Sequence, residues 1–179
     1  MTTRVAFVGF GEVATAFSGA IKARGAEISA YDVLVGESGG PERLRARAGG
    51  VEVAFRTLPE ALSGARYILS TVTTSVALEA ARACAAHLTP GQTYVDFNAT
   101  NPGLKLEIER VVTPTGATFV EGAVLGAVGV TGAKTEILLG GPHARGAERD
   151  LAGEAADPAD VALRLRVAGD VQRLTRDEC

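Results

Sequence analysis

The chain has 179 residues, of which 46% are hydrophobic and 22% charged, and a formal net charge of −3; this is the profile of one globular domain, or of one domain with a tail. The acidic balance argues against electrostatic binding to nucleic acid or to an anionic membrane, and no apolar run approaches the roughly 18–20 residues that span a bilayer. Two cysteines, Cys84 and Cys179, and two histidines, His87 and His143, are too few for a disulfide framework or a zinc site, so no metal is expected and a reducing cytoplasm is the default.

Strand and helix patterns alternate along the chain. Thr3–Val8 is a short apolar run that fits a buried parallel strand. Glycines and Glu12 break it at once, which is not the pattern of a signal peptide. Gly11–Arg24 places Val13, Phe17, Ala20 and Ile21 on one helical face, with Gly25 as its stop. Glu27–Tyr31 reads as a second strand, Pro41–Ala48 as a short helix opened by its proline, and Val51–Phe55 as an edge strand. After a short helix over Leu58–Leu62 come a strand at Tyr67–Val72, an alanine-rich helix over Ser75–Leu88, a strand at Thr93–Phe97 and a helix over Pro102–Val111. Ala117–Val120 and Thr135–Leu139 read as two more strands. Strands separated by helices of this length predict βαβ units with right-handed crossovers. The expected fold is α/β, a Rossmann-type doubly wound, mostly parallel sheet with helices on both faces.

The composition changes after His143. Of the 36 residues from Ala144 to Cys179, 14 are charged. The expected organisation is therefore a nucleotide-binding domain over 1–143 and a charged C-terminal tail over 144–179. Only Val161–Val167 in that tail alternates with period two, as an edge strand would.

Gly9-Phe10-Gly11-Glu12-Val13-Ala14 fits the pattern G-x-G-x-x-G/A. In such a turn the first glycine permits the tight reversal. The second lets a pyrophosphate approach the backbone, and the third small residue lets the helix pack against the strand. The free N–H groups at the helix start then face the phosphates. Here the pattern follows a strand, opens a helix, and is followed by a second strand that ends in Asp32. A carboxylate at that point accepts hydrogen bonds from ribose hydroxyls and repels a 2′-phosphate, which favours NAD over NADP. Gly9, Phe10, Gly11, Glu12, Val13 and Asp32 are the cofactor-binding candidates from this motif.

With these residues and three further stretches, the chain resembles the β-hydroxyacid dehydrogenase superfamily, that is, 3-hydroxyisobutyrate dehydrogenase, phosphogluconate dehydrogenase and their relatives. It is most similar to the phosphogluconate-dehydrogenase-like NAD(P)-dependent oxidoreductases. The likeness runs from about Arg4 to Gly141. Ala65–Ala81 resembles the segment bordering the adenosine half of the cofactor, which implies Ser70, Thr71, Val72 and Thr73 beside the nucleotide. Asp96–Ile108 is similar to the family's D-x-S/N-T/A-x-x-P segment, which implies Asn98 near the nicotinamide ribose, with Ala99 and Thr100 alongside. Phe119–Lys134 resembles the substrate-binding segment D-A-P-V-S-G-G, which implies substrate contacts at Leu125, Gly126 and Ala127. The family's serine, which holds the substrate's carboxylate end, is replaced by Leu125.

The resemblance implies hydride transfer between a nicotinamide cofactor and a small hydroxyacid or its carbonyl, with a small-molecule substrate as partner. That reaction also moves a proton. In the superfamily a lysine does this, on a helix that begins G-x-x-G-x-G-x-x-x-K. The matching stretch here, Val167–Cys179, has Gln172 and Leu174 where glycines belong and Glu178 where the lysine belongs. Lys134 is the one substitute near the substrate segment, and no catalytic residue is assigned. The helical domain that closes the family's cleft and builds its dimer is expected to be missing, as after truncation or frameshift. A homo-oligomer therefore has no support, and the alternative to an oxidoreductase domain is a non-catalytic dinucleotide-binding module.

Overall fold

The computed structural model describes residues 2–152 and 163–167. Eight strands, β1 (Arg4–Val8), β2 (Glu27–Tyr31), β3 (Ala54–Phe55), β4 (Tyr67–Ser70), β5 (Thr93–Asp96), β6 (Thr118–Leu125), β7 (Glu136–Gly140) and β8 (Arg164–Val167), form one sheet. Their spatial order is β3-β2-β1-β4-β5-β6-β7-β8. Each neighbouring pair is parallel except β6 with β7. The helices are α1 (Glu12–Ala23), α2 (Gly40–Ala48), α3 (Leu58–Leu62), α4 (Ala77–Ala85), α5 (Pro102–Val112), α6 (Val128–Thr131) and α7 (Ala144–Ala152). The chain builds outward from β1 to β3, then crosses back to β4 and builds the other way. The fold is the doubly wound, Rossmann-type sheet that the alternating pattern predicts. Among the described residues no helix is long and apolar enough to cross a membrane.

Two cores follow from the period-two geometry of the strands. Val5 and Phe7, Tyr67 and Leu69, Val95 and Val120 face one side, against Phe17 and Ile21 of α1, Leu44 of α2 and Leu151 of α7. Ala6 and Val8, Ile68, Tyr94 and Phe119 face the other side, against Leu62 of α3, Cys84 of α4, and Ile108 and Val112 of α5. Every central strand is thus covered on both faces, which is why their middles are apolar runs rather than alternating. Helix starts are fixed locally. Thr57 and Glu60 form a capping box ahead of α3, and the Asn101 side chain accepts from the Leu104 N–H at 3.0 Å ahead of α5.

Several elements differ in extent from the pattern. The expected edge strand over Val51–Phe55 pairs only at Ala54–Phe55, and the helix expected over Ser75–Leu88 resolves into a 3-10 turn (Thr74–Val76) and α4. The strand expected over Ala117–Val120 runs on to Leu125, because the glycine- and alanine-rich residues that follow pair antiparallel with β7. Within the charged C-terminal segment, α7 sends Ala144, Ala147, Leu151 and Ala152 into the core. β8 pairs with β7 inside the 161–167 stretch. The Gly169–Glu178 stretch, which aligns with the family's lysine motif, lies outside the described residues.

Helix α7 is also fastened by polar contacts. The Tyr67 hydroxyl donates to Asp150 Oδ2 at 2.7 Å, and Arg66 and Arg149 pair with the same carboxylate at 3.0 and 2.9 Å. Partial burial works to raise the pKa of Asp150. The Tyr67 hydrogen bond and the two arginines outweigh it and hold the carboxyl below its ordinary value. A group lowered in this way stabilises the fold above the unfolded carboxylate range, ~3.9, and loses that contribution as pH falls through the lower folded value. Asp150→Asn is expected to cost about 1–2 kcal/mol at neutral pH and to flatten the acid limb of a plot of urea midpoint against pH. An unchanged limb would remove Asp150 from the acid response.

Candidate functional site

The carboxyl ends of β1, β4 and β5 lie at the point where the sheet changes its winding direction, the place where open α/β sheets form their crevice. Gly9 leaves β1 with φ +84°, and its N–H donates to Tyr31 O at 2.8 Å. A Cβ there would lie 2.9 Å from Val72 Cγ1 and 3.0 Å from Thr71 O, so both the backbone angle and the approach of β4 require glycine. Asp32 ties the turn to the second strand. Its Oδ2 accepts from the Phe10 N–H at 2.8 Å and its Oδ1 from the Leu34 N–H at 3.0 Å. The Phe10 ring is fully buried, edge-on to Phe7 and Phe55, so this residue offers the site only its backbone. Its carbonyl accepts from Arg47 Nη1 at 3.4 Å.

Gly11 caps α1 without a side-chain hydrogen bond, and a Cβ on it would meet nothing within 4 Å. The first-turn amides of α1 are therefore neither capped nor shielded by residue 11. Glu12 is exposed at the helix start, and Val13 packs partly against the core.

The end of β4 is stitched to this turn. The Thr71 N–H donates to Val8 O at 2.9 Å, and its hydroxyl donates to Gly9 O at 2.7 Å. Val72 touches the face of Gly9. The Thr73 and Ser75 hydroxyls share a 3.2 Å hydrogen bond, and the Thr74 hydroxyl donates to Ala99 O at 2.9 Å, which joins the loops after β4 and β5.

Below the loop after β5 lies a buried polar cluster. Asn98 Nδ2 donates to Ser70 Oγ at 2.9 Å and to Asp96 Oδ1. Lys105, on α5, pairs with Asp96 Oδ2 at 2.7 Å and donates to Asp96 O at 2.8 Å and Gly122 O at 3.2 Å. Asp96 is 0% exposed and Lys105 5%. The Tyr94 hydroxyl lies beneath, its pKa pushed well up by burial.

The substrate-segment candidates are placed by a different element. Leu125 ends β6 and is 48% exposed. Gly126 follows at φ +131°, and Ala127 precedes α6. From there Val128 enters the core beside α1, and Gly129 abuts the Glu12 carboxylate. The structure thus gathers Gly9–Val13, Asp32 and Thr71–Thr73 at one turn, sets Asn98 on the adjoining loop, and brings the segment after Leu125–Ala127 against Glu12. Among the described residues, no hydrogen bond joins Leu125–Ala127 to Asn98. Lys134 is exposed in a 3-10 turn (Gly132–Lys134).

The family described as "NADP oxidoreductase coenzyme F420-dependent" matches residues 4–100, more than half of the chain. The chain belongs to this family. Among solved structures it is similar to a conserved hypothetical protein from Sinorhizobium meliloti 1021, at 28% identity and a TM-score of 0.83, over 94% of this chain and 55% of that one. It is also similar to a conserved protein of unknown function described as structurally similar to 3-hydroxyacid dehydrogenases, at 28% identity and a TM-score of 0.75, over 93% of this chain and 57% of that one. The Mycobacterium tuberculosis 3-hydroxyisobutyrate dehydrogenase with L-serine shares the fold at 20% identity and a TM-score of 0.76, over 94% of this chain and 55% of that one. The chain therefore spans about half the length of the structures it resembles. No curated protein matches it in sequence.

The family match takes in the glycine turn, Asp32, Thr71–Thr73 and Asn98. It stops before Lys105, which motif reading passes over. A signal for Lys105 is present in the sequence: it stands three and seven residues before Ile108 and Val112, on the buried stripe of α5. A lysine on such a stripe needs a buried acceptor, and Asp96 is the acid closest before it in the chain. The two motif glycines differ in what they demand. Gly9→Ala is expected to lower stability by about 1–3 kcal/mol, whereas Gly11→Ala, with extended backbone and open space, is expected to stay within about 0.5 kcal/mol of the wild type. Denaturation midpoints of the two variants measure the contrast.

Proposed function

We propose that this domain binds NAD at the Gly9–Val13 turn and serves as the nicotinamide-binding half of an oxidoreductase acting on a small hydroxyacid or its carbonyl. The observation that carries this reading is the turn itself: a bare helix N-terminus at the winding switch, with Asp32 held beside it by two backbone N–H groups. The residues fit the group. Gly11 leaves room for a pyrophosphate at the uncapped amides of α1. The Asp32 carboxylate stands where an adenosine ribose would present its hydroxyls. Thr71, Val72 and Thr73 border that position, and Asn98 Oδ1 is a buried acceptor with no partner among the described residues, suited to a ribose hydroxyl. When bound, the nicotinamide supplies hydride chemistry. The chain's own residues bind and orient it, and Leu125, Gly126 and Ala127 form the border for substrate.

Asp32 favours NAD over NADP because a fixed carboxylate repels a 2′-phosphate. Leu125 offers no hydrogen bond to a substrate carboxylate, so the substrate is held by other groups or is not a simple 3-hydroxyisobutyrate-like acid. A second reading, a dinucleotide-binding module without catalysis, is favoured by one observation. Of the lysines in the described part, Lys22 is paired with Glu52, Lys105 is enclosed by acceptors, and Lys134 is exposed on the surface.

Titration calorimetry with NADH and NADPH tests the binding. NADH is expected to bind about tenfold or more tightly than NADPH, and Asp32→Asn to shrink that ratio severalfold. Gly11→Val is expected to abolish NADH binding while the fold persists. Failure of the wild type to bind either nucleotide would sink the proposal. Turnover of a hydroxyacid panel by this chain alone would exclude the module reading.

A further inference from the structure

The cluster beneath the loop after β5 is more elaborate than the fold requires. A buried ion pair is not needed to close a Rossmann-type sheet, since apolar side chains of similar volume serve at least as well. Its members are also arranged in one direction. The Lys105 ammonium has three protons, and three acceptors surround it: Asp96 O, Gly122 O and Asp96 Oδ2. Buried and enclosed by these oxygens, it is not open to a substrate. What it does is fix Asp96, pairing with its carboxylate and holding its backbone in place at the end of β5.

A carboxylate paired with an ammonium only accepts hydrogen bonds. The neighbouring Asn98 must therefore turn its NH2 group toward Asp96 Oδ1, and the same NH2 reaches Ser70 Oγ at 2.9 Å. The amide is thereby locked in one of its two orientations, and the carbonyl oxygen is the end left without a partner. If residue 96 were neutral, either end of the amide would serve against it.

We propose that Lys105 is a positioning residue that acts through Asp96 to present Asn98 Oδ1 as a hydrogen-bond acceptor to the nicotinamide half of a bound dinucleotide. This rests on the dinucleotide reading above and adds the group that sets the polarity of the Asn98 amide. Lys105 touches neither cofactor nor substrate.

The test compares two probes on the full chain: NADH, which carries the nicotinamide riboside, and ADP, which lacks it. Lys105→Met is expected to weaken NADH binding about tenfold, as for loss of a hydrogen bond to an oriented acceptor. It should leave ADP binding within about twofold. In an Asn98→Ala background, Lys105→Met is expected to cause no further change in the NADH-to-ADP ratio. Equal weakening of both probes, or of neither, would mean that Lys105 only supports the fold, and so would additive losses in the double variant. Should Lys105→Met alone not fold, the paired Asp96→Asn/Lys105→Met variant removes both charges together. It is expected to show the same selective loss of NADH, and an unaltered ratio there overturns the proposal. A wild-type chain that binds neither probe overturns the dinucleotide reading as well, whereas binding with an unmoved ratio overturns this inference alone.

Discussion

Four parallel strands run level, and three of them, β1, β4 and β5, end there: Val8 pairs with Ser70, Ser70 with Asp96, and Asp96 with Glu121 of β6. The rest of the molecule depends on this alignment. In parallel strands paired residues face the same side, so Ser70 and Asp96 emerge together toward α4 and α5, where Asn98 and Lys105 meet them. The same alignment puts Gly9 directly beside Thr71, and that contact leaves no space for a side chain at residue 9. A shift of one residue in the β4–β5 pairing would turn Asp96 into the opposite, apolar core and leave Lys105 buried without its counter-charge.

The two halves of the candidate site are built by different physics. The turn at Gly9 is mainly a backbone device: its dihedral angle and the approach of β4 require glycine at residue 9, and Asp32 and Thr71 pin its backbone groups. The cluster at Asp96 is a side-chain device. Taking both charges out of water costs several kcal/mol for each ion, offset by their close ion pair and by the two carbonyl oxygens that accept from Lys105. Such an arrangement contributes less to stability than to specifying one geometry. The Asn98 amide benefits from that geometry.

Much of this was legible in the sequence, and the limits have physical causes. The turn, α1 and Asp32 announce themselves because glycine and carboxylate at fixed spacing have few other uses. The central strands stand out because burial on both faces makes their middles apolar runs. The extension of β6 to Leu125 was hidden: Gly122 and Ala123 carry weak strand preference, and only antiparallel pairing with β7 holds them extended. Helix α7 was hidden by its charges, since its buried stripe is mostly alanine, with Ala144, Ala147 and Leu151 spaced on one face while the arginines and acids stay in water. Lys105 was hidden because its meaning lies in tertiary contact. A lysine is read as solvated unless its helix face and its partner strand are known together.

The extension of β6 also makes the rim of the sheet uneven. β5 ends at Asp96, level with Glu121, but β6 continues through Leu125, four residues or about 13 Å farther. Over that length its only strand partner is β7, and Gly122 O also accepts from Lys105. The crevice is therefore flanked by a raised wall of β6, β7 and β8, with Leu125 at its crest and the level rim of parallel strands at its foot. Leu125 at the crest is half exposed, so that residue can change without disturbing the register below. A fold of this design can diversify what it recognises at the wall while the foot keeps its grip on a common ligand.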